Sequence, residues 1–155
     1  MRNWKQRLCS LLLCGAMLAG LCPTARAEDG GISYLDETGT EQFCKTPVSV
    51  TADLFGWNTD KNPSGWYVVE NRVEIADRVT VDGTIYLILV NGCNLKAAKG
   101  INVGEGNSLT IYAQSKDEST MGKLEAYGDK GAGIGGNYGD GGGNITINGG
   151  TVTAR

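Results

Sequence analysis

The sequence contains no histidine, which excludes Ser-His and Cys-His catalysis and any histidine-ligated metal centre. It also lacks clusters of basic residues. Downstream of residue 27, ten lysines and arginines are outnumbered by seventeen acidic residues, which gives a formal charge of −7. A surface of this charge does not attract nucleic acid or anionic lipid. We therefore expect no nucleic-acid partner, and a chain of this length supports one modest domain.

Long hydrophobic runs are missing as well, except for one near the N-terminus. Three basic residues within the first seven precede an apolar run over residues 8–21. Ala25-Arg26-Ala27 follows, with small residues at the positions that a signal peptidase reads. The run is too short for an ordinary membrane span. We predict a signal peptide over residues 1–27 and a protein that is secreted or attached to the cell surface, without membrane insertion after cleavage.

Cysteine is scarce in the remaining chain. Three of the five cysteines lie in the predicted signal peptide, and only Cys44 and Cys93 follow it. In a secreted protein these two can form a disulfide. The alternative is that they are separate thiols, buried as small apolar groups. Two cysteines do not make a disulfide framework, so both interpretations stay open.

Glycine, in contrast, is abundant, and it punctuates an internal repeat. The segments GCNLKA (92–97), GKLEA (122–126) and GTVTA (150–154) each combine a glycine, a short extended piece with one aliphatic residue, and an alanine two residues later. The aliphatic residues Leu95, Leu124 and Val152 are 29 and 28 residues apart. No segment downstream of residue 27 has helical periodicity, so we expect no helix there.

Two further series of short extended segments precede each member of this one. The first consists of TIYLILV (84–90), NSLTIYA (107–113) and GNITING (143–149), and the second of RVTV (78–81), GINV (100–103) and GAGIGG (131–136). Three short strands per repeat, joined by turn residues, are typical of a solenoid of parallel strands with three sides per coil. The sequence therefore predicts an all-β fold of about three coils over 66–155. Residues 28–65 would form an irregular cap over the first strand edge.

The alternation also predicts which residues are stacked. We place Leu87 beside Leu109 and Ile145 in the interior, because their strands share one apolar face. Three outward columns follow from that register: Ile88, Thr110 and Thr146; Tyr86, Ser108 and Asn144; and Val90, Tyr112 and Asn148. In the third series, Lys96 and Glu125 would form an ion pair on adjacent strands. Because GTVTA is followed by Arg155 and no polar cap, we expect further repeats of the same chain beyond it.

The glycine-rich stretch GDKGAGIGGNYGDGGGNITINGG (128–150) contains G-x-G-x-x-G. A dinucleotide loop needs a helix after it, and the residues that follow, NYGDGGG, cannot form one. The stretch also resembles a calcium nonapeptide, but the spacing is wrong and the unit occurs once. Asp129 and Asp140 leave an isolated cation site open. We interpret the stretch as a sharp corner with Ile134 as its inward anchor, and we assign no cofactor and no metal site.

Four segments together resemble a known group of proteins: GWYVV (65–69), VTVDGTIYLILVNGCNL (79–95), GINVGEGNSLTIYAQS (100–115) and AGIGG…GNITINGGTVTA (132–154). The chain resembles secreted, adhesin-like repeat proteins of gut Firmicutes that carry tandem AGIGG…GxITIxGGxVxA units. The resemblance implies a right-handed parallel β-helix, which longer members extend with more repeats or other surface modules. It carries no functional residues over to this chain.

Function is expected on the outer surface. The first hypothesis is a non-catalytic module for adhesion, glycan binding or display, whose partner is an extracellular glycan or a host or neighbouring cell surface. Tyr86, Tyr112 and Tyr138 are the candidate glycan contacts, although isolated aromatic residues more often cover a corner or a cap. The second hypothesis is a polysaccharide lyase or hydrolase fragment, with acids drawn from Asp82, Glu105 and Asp140. The third is a structural stalk without a ligand.

Overall fold

The protein is described by a computed structural model over residues 31–129 and 131–155. The predicted signal peptide, residues 1–27, lies outside the described residues. The described chain is all-β, as predicted. It contains no helix, and so none that is long and apolar enough to cross a membrane.

Thirteen of the fifteen strands in the described part of the chain form three parallel sheets, which we number 1 to 3. Sheet 1 contains β3 (Val48–Ser49), β5 (Trp66–Val69), β8 (Thr84–Leu89), β11 (Ser108–Ala113) and β14 (Asn144–Ile147). Sheet 2 contains β6 (Arg72–Ile75), β9 (Asn94–Ala97), β12 (Lys123–Ala126) and β15 (Thr151–Ala154). Sheet 3 contains β4 (Gly56–Asn58), β7 (Val79–Asp82), β10 (Ile101–Val103) and β13 (Ile134–Gly135). The remaining two, β1 (Ile32–Leu35) and β2 (Glu41–Cys44), form an antiparallel hairpin.

From β5 onward the chain runs through sheets 1, 2 and 3 in the same order, and each such circuit is here called a pass. The three predicted series of segments correspond to the three sheets, one strand of each per pass. In sheet 2, inward apolar residues alternate with outward polar ones, whereas the outer face of sheet 1 also carries Val68 and Ile88, which are buried there. The inward residues of all three sheets meet in one core. Each fully buried aliphatic side chain contributes about 1.5–3 kcal/mol.

The predicted register is confirmed in sheet 2 and between β11 and β14 of sheet 1, but it is wrong between β8 and β11. Leu124 is paired with both Leu95 and Val152 in sheet 2, as the spacing of the repeat indicated. In sheet 1, however, Leu87 lies opposite Ile111, two residues beyond the predicted partner Leu109. A shift of two residues leaves every side chain on its predicted face, so apolar alternation does not detect it.

The corners between sheets set the register of sheet 1. The Asn107 side-chain oxygen accepts a hydrogen bond from the Gly83 amide at 2.7 Å, and the Asn107 carbonyl accepts one from the Asn144 amide at 3.0 Å. These bonds align the starts of β8, β11 and β14. The outward columns are therefore corrected to Trp66, Tyr86, Thr110 and Thr146; to Val68, Ile88, Tyr112 and Asn148; and to Thr84, Ser108 and Asn144.

The two ends of the core differ. At the first end, Val50, Leu54 and Trp57 close the space between the sheets; Trp57 is fully buried and donates its Nε1 hydrogen to the Leu54 carbonyl at 3.1 Å. At the other end, Ile145 and Ile147 of β14 are 38% and 51% exposed. The segment predicted as an irregular cap thus contains four strands, two of which, β3 and β4, extend the parallel sheets.

Candidate functional site

Two of the three candidate glycan-contact tyrosines belong to a packed aromatic cluster on the outer face of sheet 1. Trp66 stacks on Tyr86 with ring centroids 4.7 Å apart and on Tyr112 at 5.5 Å. Tyr34 of the N-terminal hairpin packs against both Trp66 and Tyr112 at 4.9 Å. Burial raises the pKa of the Tyr34 and Tyr112 hydroxyls. Tyr112 and Trp66 therefore fasten the hairpin to the sheet, and Tyr86 packs behind Trp66, which is the covering role that the sequence offered as the alternative.

Tyr138 is different, because its side chain is 93% exposed. It lies at the tip of a turn in which the Asp140 amide donates to the Asn137 carbonyl at 3.0 Å. Gly139 follows it with a φ of +84°, a conformation that residues with a Cβ rarely adopt. The turn thus presents the tyrosine ring to solvent.

The Tyr138 ring lines an open cleft of about 580 Å³ next to sheet 3. The other lining residues are Arg78, Asp129, Gly131 and Asn137. A volume of this size falls in the range of sites for small ligands, and the lining combines one aromatic ring with charged and amide groups. Asp129 was considered only as one half of an isolated cation site that stayed open, and Arg78 and Asn137 were not predicted as site residues at all.

The glycine-rich loop beside the cleft is compact because its glycines pack against backbone. A Cβ on Gly133 would lie 2.7 Å from the Ala126 carbonyl oxygen, and one on Gly131 would lie 2.5 Å from that of Gly136. The Ala132 amide donates to the Gly136 carbonyl at 3.2 Å, which closes the loop. Ile134 is packed against the core, as predicted. The loop is a sharp corner, but close approach of backbone atoms accounts for more of its glycines than positive φ does.

Arg78, at the same corner of the fold two passes earlier, holds this loop in place. Its Nε donates to the Asn137 side-chain oxygen at 2.9 Å, and its two Nη atoms donate to the carbonyls of Lys99, Ala132, Gly135 and Gly136 at 2.7–3.4 Å. Burial lowers the pKa of the Arg78 guanidinium, and the nearby Asp129 carboxylate acts in the opposite direction. One side chain thus bridges two passes that are more than fifty residues apart in sequence.

The remaining predicted pairs and clusters form only in part. Both Cys44 and Cys93 are free thiols, Cys93 in the core and Cys44 half-buried on the hairpin, so of the two interpretations left open the structure has separate thiols and no disulfide between them. Lys96 lies beside Glu125 in register, but its ammonium group bonds Glu74 at 2.8 Å instead.

The acidic candidates lie at one corner of the fold, on successive passes. Asp82 ends β7, Glu105 follows β10 with its carboxylate near Gly141, and Asp140 precedes that glycine. Over residues 31–129 and 131–155, no group of three or more acidic or cysteine side chains is close enough to hold a metal ion.

Comparison with known proteins adds no information about this site. No protein-family model, curated protein or solved structure matches the chain. The cleft beside Tyr138 is consequently defined by its own residues: an exposed ring, an exposed carboxylate at Asp129 and the amide of Asn137, on a loop that Arg78 makes rigid.

Proposed function

We propose that the domain is a right-handed, three-sided parallel β-helix that serves as a secreted or cell-surface, non-catalytic module for glycan binding. The fixed order in which the chain passes through three parallel sheets supports the β-helix. The basic, apolar and small-residue pattern of residues 1–27 supports secretion.

The proposal of glycan binding is based on the residues that line the cleft. A tyrosine ring offers a flat apolar face for the C–H side of a sugar ring, and carboxylate and amide groups offer acceptors and donors for its hydroxyls. Tyr138, Asp129 and Asn137 provide these groups around one depression of suitable size. The loop needs little reordering on binding, because Arg78 already fixes it, which lowers the entropic cost of recognition.

A glycan array tests this function, using the protein obtained by expressing the full chain, in calcium and in chelator. We expect binding to at least one polysaccharide and its loss in Tyr138→Ala, whereas Tyr138→Phe keeps the ring and retains most of the signal. Phe55→Ala is the matched control, because Phe55 is another exposed aromatic residue, 51% accessible, on the N-terminal segment.

Two outcomes would contradict the proposal. Silence on the array from folded protein would favour a structural stalk, and binding that survives Tyr138→Ala would place the glycan elsewhere. A signal that requires calcium would bring Asp129 and Asp140 back as cation ligands.

A further inference from the structure

The outer face of sheet 1 is apolar over its middle strands and is covered by the N-terminal hairpin. Val68 and Ile88 are neighbours in one outward column of that face, yet they are 1% and 0% exposed. Tyr34 of the hairpin packs on Trp66 and Tyr112, with ring centroids 4.9 Å from each. An apolar face of this kind needs a cover in water. The hairpin is the cover whose fit the structure shows.

The hairpin is separate from the parallel sheets in its backbone hydrogen bonds. Its two strands pair with each other, and within residues 31–129 and 131–155 no backbone hydrogen bond joins them to a strand of sheets 1 to 3. A side-chain hydrogen bond from Gln114 Nε2 to the Ser33 hydroxyl oxygen, at 3.5 Å, accompanies the ring contacts. The hairpin can therefore leave its face without breaking a strand pair of the parallel sheets.

A hinge of three residues connects the hairpin to sheet 1. Strand β2 ends at Cys44 and β3 begins at Val48. Between them the chain bends at Lys45 and Thr46, immediately before Pro47. A proline favours extended backbone at the residue before it, so the bend lies where the local sequence favours a straight chain. A hinge that straightens carries the hairpin away from its own sheet, and short hinges of this kind favour exchange between molecules.

We propose that two copies of the chain exchange their hairpins, so that each hairpin covers the outer face of sheet 1 of the other copy. The exchanged hairpin makes the same contacts as the closed one, because both copies present the same hairpin and the same face. The closed monomer and the exchanged dimer therefore differ in the hinge and in their dependence on protein concentration. The exchange requires no residue of the cleft beside Tyr138, so it is independent of glycan binding.

The length of the hinge tests the proposal. The protein obtained by expressing the full chain is analysed by size-exclusion chromatography with light scattering, and we expect a dimer that dissociates on dilution. Deletion of Thr46 leaves the hinge too short to fold back, and it should lower the concentration of half-dissociation by at least about tenfold. Insertion of Gly-Ser-Gly-Ser after Lys45 supplies slack and should raise that concentration by at least about tenfold. The same insertion after Gly139, in the exposed turn beside Tyr138, is the matched control and should change nothing.

A mixing experiment separates exchange from ordinary association. Tyr34→Ala weakens the hairpin and Trp66→Ala weakens the face that receives it, so neither variant alone should dimerise. In an equal mixture, the intact hairpin of the Trp66→Ala chain can dock on the intact face of the Tyr34→Ala chain, and a heterodimer should form. Alkylation of the half-buried Cys44 thiol, followed by mass spectrometry, should slow about fivefold in the Trp66→Ala chain on mixing. The core thiol of Cys93 is the internal reference for folded protein.

Three outcomes would overturn the inference. They are wild-type protein that stays monomeric up to about 0.5 mM, a dimer whose dissociation does not depend on hinge length, and a mixture that forms no heterodimer although both variants are folded. If Trp66→Ala leaves Cys93 reactive and therefore fails to fold, the series of hinge lengths decides by itself.

Discussion

Strands β11 and β14 are neighbours in sheet 1 and carry the same alternating pattern in the same register, yet their apolar residues differ in burial. Ile111 is fully buried, whereas its partner Ile147 is 51% exposed. Leu109 and Ile145 differ in the same way, at 0% and 38%. Within the described residues, β11 has a strand on either side in its sheet, but β14 has β11 on one side only. Alternation thus specifies the face of the sheet on which a side chain lies. Whether that side chain is buried depends on the strands that the neighbouring passes place beside it.

The largest effect is expected where this difference is tested directly. Ile111→Asp places a charge in the core without a partner, which costs about 4 kcal/mol or more and is comparable with the whole stability of a small domain. The protein should be unfolded by circular dichroism. Ile147→Asp leaves the charge in contact with water and should cost at most about 1 kcal/mol in urea unfolding. Equal effects of the two substitutions would refute the interpretation of their burial.

The closed end of the core is the second test. Trp57→Ala should lower the free energy of unfolding by about 3–5 kcal/mol, because it opens a cavity under the segment that seals the first pass. Phe55→Ala, two residues away, is the control, since the Phe55 ring is 51% exposed. Its cost should stay within about 0.5 kcal/mol in the same urea titration. A Trp57 variant as stable as wild type would mean that Trp57 is not needed to close that end.

Several features of the fold follow from the sequence alone. The 29- and 28-residue spacing of Leu95, Leu124 and Val152 predicts the stacking in sheet 2, because glycine and alanine mark the same positions in each repeat. The same alternation that identifies the strands of sheet 1 cannot fix their register, since a slip of two residues preserves the faces. The hydrogen bonds of Asn107 at a corner decide it instead.

The candidate site was predicted only in part, for a related reason. Tyr138 stands out in a glycine-rich loop where no hydrophobic pattern requires an aromatic residue. The neighbouring Asn137 accepts a hydrogen bond from Arg78, which is 59 residues earlier in the sequence, and no local pattern predicts that contact. Tyr86 and Tyr112 were candidates of the same kind, but Tyr112 packs against Tyr34 of the N-terminal hairpin and Tyr86 packs against Trp66, contacts that no local pattern predicts.

The third test concerns the glycine-rich loop between β12 and β14. Arg78→Lys removes the planar group that bonds several carbonyls at once, and an ammonium group offers only three donors. We expect a loss of about 1–3 kcal/mol and faster hydrogen exchange at the amides of Ala132 and Asp140, with unchanged protection in β11. Arg72→Lys, on the exposed side of β6, should change neither quantity. Protection at Ala132 that persists in Arg78→Lys would show that the glycine packing alone holds the loop.

The smallest effect on stability is expected from a substitution on the outer face of sheet 2, where side chains of neighbouring passes meet in solvent. Lys96 and Glu74 form a 2.8 Å ion pair, and their mutual hydrogen bond raises the pKa of the lysine and lowers that of the glutamate. A carboxyl group whose pKa is lower in the folded state stabilises the fold at any pH above its unfolded-state pKa. This stabilisation is lost as the pH falls through the folded-state pKa. Both groups are solvent-exposed, so water and salt screen the pair. Glu74→Gln should leave the melting temperature unchanged at neutral pH. A clear decrease that salt abolishes would show that stacked outer-face charges stabilise the passes as the core residues do.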